Sequence, residues 1–152
     1  MTPHRVNIRL AVSSDIASLI ELDSIAQRDC NRAAFIEHAV IAGQCWIATR
    51  TGDDSAVGYG VLNQTFFEQF FVRLIVVGEG ERRTGIGITI LHRLASLCRG
   101  SKLFTSTNAS NIPMRALLLK CGFVQSGYVD NLDEGDPELI FVKLATGDAR
   151  NR

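Results

Sequence analysis

The sequence predicts a single α/β domain, equally described as α+β, in which helices flank a mixed central β-sheet. Segments of alternating and of helical apolar spacing follow one another in the order β-α-α-β-β-β-α-β-α-β-β. Closely spaced early strands favour antiparallel pairs, and a later strand–helix–strand unit favours two parallel strands joined by a right-handed crossover. A chain of 152 residues is long enough for one complete hydrophobic core. We assign residues 1–145 to this domain and residues 146–152 to a polar C-terminal tail.

The first half of the chain contains strands with two helices between them. Alternation predicts a strand over residues 6–10, and helical spacing predicts a helix over 16–25 after the capping candidates Ser13 to Asp15. A second helix is expected over residues 32–41, ended by Gly43. Strands over 45–49 and 56–62, with a polar turn between them, predict a hairpin.

The second half contains the crossover. Aromatic and branched residues predict a long strand over 66–77, and apolar residues at helical spacing follow from Ile86 to Gly100. A strand over 102–107 and a short helix from Pro113 to Gly122 come next. Two strands, over 123–129 and 138–144, complete the sheet around an acidic loop.

The composition of the chain indicates which partners to expect and where the protein is located. Sixteen basic and sixteen acidic residues give no net charge, so we expect neither nucleic acid nor a membrane as partner. No apolar run resembles a signal peptide, which predicts a cytoplasmic protein. The four cysteines and three histidines are scattered without ligand spacing, so no metal site is expected.

The turn between the long strand and its helix predicts a phosphate site. Amide groups at a helix N-terminus lack partners within the helix, and the helix dipole adds positive charge there. Gly85 and Gly87 allow the backbone to approach a ligand closely, and Arg82 and Arg83 suit phosphate oxygens. No GxxxxGK[ST] is present, and Gly78-Glu79-Gly80 lacks the third glycine of a dinucleotide fingerprint.

On these residues the chain resembles the GNAT superfamily of N-acetyltransferases. Their acetyl-CoA loop follows the pattern [QR]xxGx[GA] between the fourth strand and the next helix, and this chain matches it. The resemblance implies that the diphosphate of acetyl-CoA contacts the loop residues Arg82, Arg83, Thr84, Gly85, Ile86 and Gly87. Without the resemblance, the two arginines would be interpreted as solvated loop charges.

Two further positions follow from the resemblance. Family members often carry an Asn before a short helix that ends in Gly-Phe, and Asn111 precedes Gly122-Phe123 at that spacing. The resemblance implies that Asn111 contacts the pantetheine arm, with Asn108 as a substitute, whereas its position before Pro113 also suits a helix N-cap. A main-chain N–H of the fourth strand polarises the thioester in the family, which makes Ile75, Val76 and Val77 the candidates.

The chain departs from the family at the catalytic acid. Many members have a Tyr five residues before the Phe of Gly-Phe, where this chain has Leu118, which cannot donate a proton. Tyr128 is our candidate acid, with Tyr59 as the other tyrosine in the sheet. Glu68, placed among phenylalanines at the start of the long strand, is the candidate base, because apolar surroundings make a carboxylate a better proton acceptor near neutrality. A surface position for Glu68 is the alternative.

The resemblance implies an enzyme that moves an acetyl group from acetyl-CoA to a primary amine in a ternary complex. Asp130, Asp133, Glu134 and Asp136 crowd the last hairpin, where they suit either a cationic acceptor or a hydrated turn. The alternatives from other classes are a non-catalytic acyl-CoA-binding module and a regulatory domain. Homodimers are common in the family, so a second copy of the chain is an expected partner.

Overall fold

The computed structural model describes residues 6–82 and 84–145. Its elements follow the predicted order, and within these ranges they comprise seven strands and four α-helices. The strands are β1 Val6–Leu10, β2 Cys45–Arg50, β3 Ala56–Phe66, β4 Gln69–Val77, β5 Leu103–Asn108, β6 Val124–Val129 and β7 Glu138–Lys143. The helices are α1 Ile16–Leu22, α2 Cys30–Ile41, α3 Ile86–Leu97 and α4 Ile112–Lys120. Short 3-10 turns span Ser13–Asp15 and Glu79–Glu81.

The sheet confirms the predicted mixture of parallel and antiparallel pairs. The strand order is β1-β2-β3-β4-β5-β7-β6. The pairs β1/β2, β2/β3, β5/β7 and β6/β7 are antiparallel, whereas β4 and β5 are parallel from Phe70 opposite Leu103 to Val72 opposite Thr105. Contacts group the described chain into two compact units, residues 6–62 with 74–93 and residues 63–73 with 94–145.

The first unit has a core built from both early helices and the strands beside them. Leu19 of α1, Ile36 of α2 and Tyr59 of β3 are fully buried in it. The helix α1 ends three residues earlier than predicted, because Asp23 leaves the helical conformation and its carboxylate accepts from the N–H groups of Ile25 and Ala26. The helix α2 begins at Cys30, two residues earlier than predicted, because the side chain of Asp29 caps it.

The boundary between β3 and β4 corrects the sequence analysis, which placed the start of the long strand at Phe66. In the structure β3 extends to Phe66, and Phe67 and Glu68 form a two-residue turn with φ of 50° and 65°. Such turns usually carry Asn-Gly, so the phenylalanine run gave no turn signal. The ring of Phe66 instead lies 5.0 Å from those of Phe67 and Phe71, which holds this turn in the second unit.

The second unit has its core beside α4 and the last strands. Leu103, Leu118 and Phe123 are fully or almost fully buried there. The hydroxyl of Thr105 on β5 donates to the carbonyl of Val72 on β4 at 2.9 Å. The helix α4 ends as predicted before Gly122, which has φ of 88°. None of the helices in the described ranges is long and apolar enough to cross a membrane.

Candidate active site

The turn from β4 into α3 is fixed to the strand beside it. After Val77, the N–H of Gly78 donates to the carbonyl of Val57 on β3 at 2.9 Å. A Cβ on Gly78 would lie 2.6 Å from Cδ1 of Leu22, so only glycine fits between these groups without a shift. The N–H of Glu81 then donates to the carbonyl of Gly78 at 2.9 Å, which closes the 3-10 turn Glu79–Glu81.

The N-terminus of α3 presents amide groups that the described chain leaves without acceptors. Gly85 has φ of 86°, a backbone conformation that residues with a side chain rarely adopt. Its carbonyl accepts from the N–H and the hydroxyl of Thr89 at 3.1 and 3.0 Å. The N–H groups of residues 85–88 find no acceptor among residues 6–82 and 84–145. Ile86 is buried and anchors the helix start. A helix N-terminus with amides in this state is able to bind an anion.

The side chains of the loop divide into exposed and anchored groups. Arg82 is exposed, whereas Thr84 is half-buried and its hydroxyl donates to the carbonyl of Glu81. The carboxylate of Glu81 accepts from the guanidinium of Arg50 on β2. Arg83, the second arginine of the predicted motif, lies outside the described residues.

The end of β4 is packed tightly against β3 and α3. A Cβ on Gly58 of β3 would lie 2.8 Å from the carbonyl oxygen of Val76 and 3.1 Å from Cδ1 of Ile90. This glycine therefore allows β4 and α3 to approach β3 closely. Ile75, Val76 and Val77 are half-buried here and lie beyond the three β4 residues that pair with β5.

Asn111 lies at the start of α4 and caps it. Its side-chain oxygen accepts from the N–H of Met114 at 3.2 Å. The amide of the substitute candidate Asn108 donates to Asp133 at 2.8 Å, so it is already used within the second unit. The cap accounts for the oxygen of Asn111 and does not use its NH₂ group.

The match to a family model identifies the protein family of this chain. The model of the acetyltransferase (GNAT) family matches residues 15–123, which is more than half of the chain and includes β4, the loop and α4. The chain belongs to the GNAT acetyltransferase family. It is therefore a transferase, as the resemblance implied.

Solved structures agree with this membership. A GNAT-family acetyltransferase from Bacillus cereus is 33% identical, with 93% of this chain and 98% of that chain covered and a TM-score of 0.82. Ard1 from Thermoplasma volcanium is 21% identical, covers 92% and 97%, and has a TM-score of 0.75. The ribosomal-protein-S18-alanine N-acetyltransferase from Escherichia coli is 18% identical, covers 93% and 94%, and has a TM-score of 0.71. The last two establish a likeness of fold. No curated protein sequence matches the chain.

Glu68 has the surface position that was the alternative, and the apolar surroundings expected of a base are absent. Glu68 does not lie in a buried strand; it is the second residue of the β3–β4 turn and is exposed to solvent. Its neighbour Phe67 is 83% exposed and does not shield it. Glu68 therefore lacks the apolar surroundings on which its candidacy as a base depended.

The two tyrosines of the sheet lie in opposite environments. Tyr128 is 63% exposed on β6, opposite Leu139 of β7. Tyr59 is fully buried in the first unit, and its hydroxyl donates to Asp23 at 2.6 Å. Burial and this hydrogen bond raise the pKa of Tyr59, so it is unsuited to release a proton to a substrate. Leu118 is fully buried in the second unit.

Asp23 is the centre of a buried polar cluster that no pattern in the sequence reveals. Arg32 pairs with Asp23 at 2.9 Å beside Tyr59. Burial opposes ionisation of Asp23, but the hydrogen bonds from Tyr59 and Arg32 outweigh it and hold the pKa of Asp23 below its ordinary value. The cluster joins the segment after α1 to α2 and β3.

A second carboxylate with an altered pKa lies in the second unit. Glu138 at the start of β7 is half-buried, and burial together with repulsion from Asp133 and Asp136 raises its pKa, while Arg73 acts in the opposite direction. Within the described ranges, no group of three or more His, Cys, Asp or Glu side chains could hold a metal ion.

Proposed function

We propose that this GNAT acetyltransferase transfers the acetyl group of acetyl-CoA to a primary amine within a ternary complex. The observation that supports the proposal best is the row of four amides at residues 85–88 without acceptors in the described chain, preceded by Gly85 at positive φ. Such a row suits a diphosphate, because each N–H can donate to a phosphate oxygen and the dipole of α3 favours negative charge. Family membership supplies the reaction class.

The loop side chains complete the proposed diphosphate site. Arg82 is exposed beside the amides and can approach phosphate oxygens, and we propose the same role for Arg83. Thr84 orients the loop through its hydrogen bond to Glu81. Ile86 and Gly87 contribute main-chain groups, since both are buried at the helix start.

The remaining contacts to the cosubstrate come from β4 and α4 in this proposal. Acetyl-CoA supplies an activated thioester whose C–S bond breaks as the C–N bond to the amine forms. We propose that a main-chain N–H of Ile75, Val76 or Val77 donates to the oxygen of that carbonyl and so stabilises the charge that develops on it. The NH₂ group of Asn111, which the helix cap does not use, is proposed to bind the pantetheine arm.

Tyr128 is the proposed proton donor to the departing thiolate. Its exposure on β6 leaves the hydroxyl accessible, whereas Leu118 cannot donate a proton. The proposal assigns no base, because the surroundings predicted for Glu68 are absent; the attacking amine loses its proton to solvent. Replacing Tyr128 by Phe should lower kcat by at least tenfold and leave the Kd of CoA unchanged. An unaltered kcat would remove Tyr128 from the mechanism.

The proposal also includes the setting of the enzyme. All four cysteines are free thiols, which is typical of proteins in the reducing cytoplasm, and we propose that location. An amine-bearing acceptor and a second copy of the chain are the proposed partners. Fractionation of expressing cells and sedimentation of the purified protein test the location and the dimer.

Two measurements test the function itself. Isothermal titration with acetyl-CoA should give one saturable site per chain, and a chain that binds none would refute the proposal. Release of CoA thiol is then followed over a panel of small amines, peptides and protein N-termini. Turnover with any of them supports the enzyme, whereas tight binding without turnover supports an acyl-CoA-binding module.

A further inference from the structure

The loop between β4 and α3 is attached to the β2–β3 hairpin at two points of the first unit. One is the hydrogen bond of 2.9 Å from the N–H of Gly78 to the carbonyl of Val57. The other is the ion pair between Arg50, the last residue of β2, and Glu81 in the 3-10 turn. The second attachment joins opposite charges from residues that are 31 positions apart in the chain.

Arg50 is itself held firmly by the hairpin. Its N–H donates to the carbonyl of Ser55 at 2.8 Å, and its carbonyl accepts from the N–H of Asp54 at 3.0 Å. A second carboxylate, that of Asp53, lies 3.9 Å from the guanidinium. The hairpin therefore fixes the backbone of Arg50, and the guanidinium pairs with the carboxylates of both Asp53 and Glu81.

Glu81 would oppose an anionic ligand if it were unpaired. Its carboxylate is only 18% exposed and lies four residues before Gly85, and Glu79 adds a second negative charge to the same turn. Two charges of the same sign repel each other, and the repulsion is stronger where water is partly excluded. The carbonyl of Glu81 also accepts from the hydroxyl of Thr84, so a displaced Glu81 would move the loop as well.

We propose that Arg50 is a positioning residue for the diphosphate of acetyl-CoA, which acts by pairing with Glu81 and keeping its negative charge from the ligand. The inference rests on the proposed function, because it requires a diphosphate at the N-terminus of α3. Because Arg50 is 41% exposed, solvent screens this ion pair and it contributes little to folding. The pair is important for binding, because an unpaired Glu81 carboxylate would repel the anionic diphosphate.

The experiment measures the Kd of CoA by isothermal titration for four chains: wild type, Arg50→Met, Glu81→Gln and the double variant. Arg50→Met should weaken binding by about tenfold at low salt, because it leaves the carboxylate unpaired. Glu81→Gln should bind about twofold to threefold more tightly than wild type. The double variant should recover most of the affinity that Arg50→Met loses, although the ion pair is still missing. Raising the salt to about 1 M should shrink the Arg50→Met effect, since the Debye length falls to about 3 Å.

The control is Arg9→Met, which removes the ion pair of 2.7 Å to Asp15 and should leave the Kd of CoA unchanged. If Arg50→Met does not fold, Arg50→Gln replaces it. A wild type that binds no CoA overturns the proposed function and this inference with it. A wild type that binds CoA with Arg50→Met equally tight, or with the double variant as weak as Arg50→Met, overturns only the inference.

Discussion

The hydroxyl of Tyr59 on β3 donates a hydrogen bond of 2.6 Å to the carboxylate of Asp23, which lies 36 residues earlier in the chain. Both side chains are buried, and Arg32 pairs with the same carboxylate oxygen at 2.9 Å. The cluster thereby fixes the end of α1 to the middle of the sheet. An intact buried hydrogen bond adds little net stability, whereas a buried polar group left without its partner is strongly destabilising. Removing one member of this cluster should therefore destabilise the first unit by more than the hydrogen bond itself contributes.

The first prediction concerns the stability that this hydrogen bond contributes. Tyr59→Phe should lower the free energy of unfolding by about 1–3 kcal/mol, because Asp23 keeps Arg32 and two backbone amides but loses one buried donor. Urea unfolding measures it. Tyr128→Phe is the matched control, since it removes an exposed hydroxyl and should change the value by less than about 0.5 kcal/mol. Equal effects of the two variants would show that the buried hydrogen bond contributes no more stability than an exposed hydroxyl.

The second prediction concerns stability in acid. Asp23 has a folded pKa below its ordinary value of 3.8, so in acid the unfolded chain binds the proton first. The contribution of Asp23 to stability is therefore complete above pH 3.8 and is lost as the pH falls through the folded pKa. Asp23→Asn should make the free energy of unfolding less dependent on pH in that window than it is in wild type.

The comparison for Asp23→Asn is Asp15→Asn, because the partner of Asp15, Arg9, is 49% exposed to solvent. The pKa of Asp15 is also lowered: the hydrogen bond from Arg9 lowers it, and burial opposes this shift. Because solvent screens this pair, Asp15→Asn should alter the pH dependence less. A wild-type slope retained in Asp23→Asn would contradict the prediction.

Much of the fold could be predicted because its signals are local. Apolar residues at helical spacing between Ile86 and Leu97 fixed α3, and Gly85 marked its start. The same local signals gave the element order and the parallel pair of β4 and β5. The break between β4 and α3 could be predicted for the same reason, since its glycines lie close together in the chain.

The errors occur where distant residues determine the structure. The turn at Phe67 and Glu68 lacks the usual glycine or asparagine, and the ring contacts of Phe66 hold it instead. The pairs Tyr59–Asp23 and Arg50–Glu81 connect residues more than 30 positions apart, which no periodicity of the sequence reveals. The helical spacing even placed Asp23 within the first helix, whereas its carboxylate ends that helix.

The third prediction tests the turn that displaced Glu68 from the strand. Glu68 has φ of 65°, which costs a residue with a side chain about 1 kcal/mol relative to glycine. Glu68→Gly should therefore raise the free energy of unfolding by about 0.5–1 kcal/mol. Gln69→Gly, one residue later and in the extended strand β4, should lower it by a similar amount. If Glu68→Gly also keeps full acetyl transfer, Glu68 is not the base. A loss of stability would mean that the turn has another conformation.

The fourth prediction addresses the loop proposed to bind the diphosphate and separates binding from backbone strain. Gly85 and Gly43 have φ of 86° and 71°, and a Cβ at either position would meet nothing within 4 Å. Glu at either position therefore introduces similar strain, about 1 kcal/mol, and one added carboxylate. Only Gly85→Glu places that carboxylate at the amides of α3, so it should weaken CoA binding by at least a hundredfold, while Gly43→Glu should bind as wild type does. Thermal unfolding of both variants verifies that the strain is matched. Equal Kd values for the two would mean that CoA binds elsewhere, because a carboxylate that occupies the amides of residues 85–88 must compete with any phosphate that uses them.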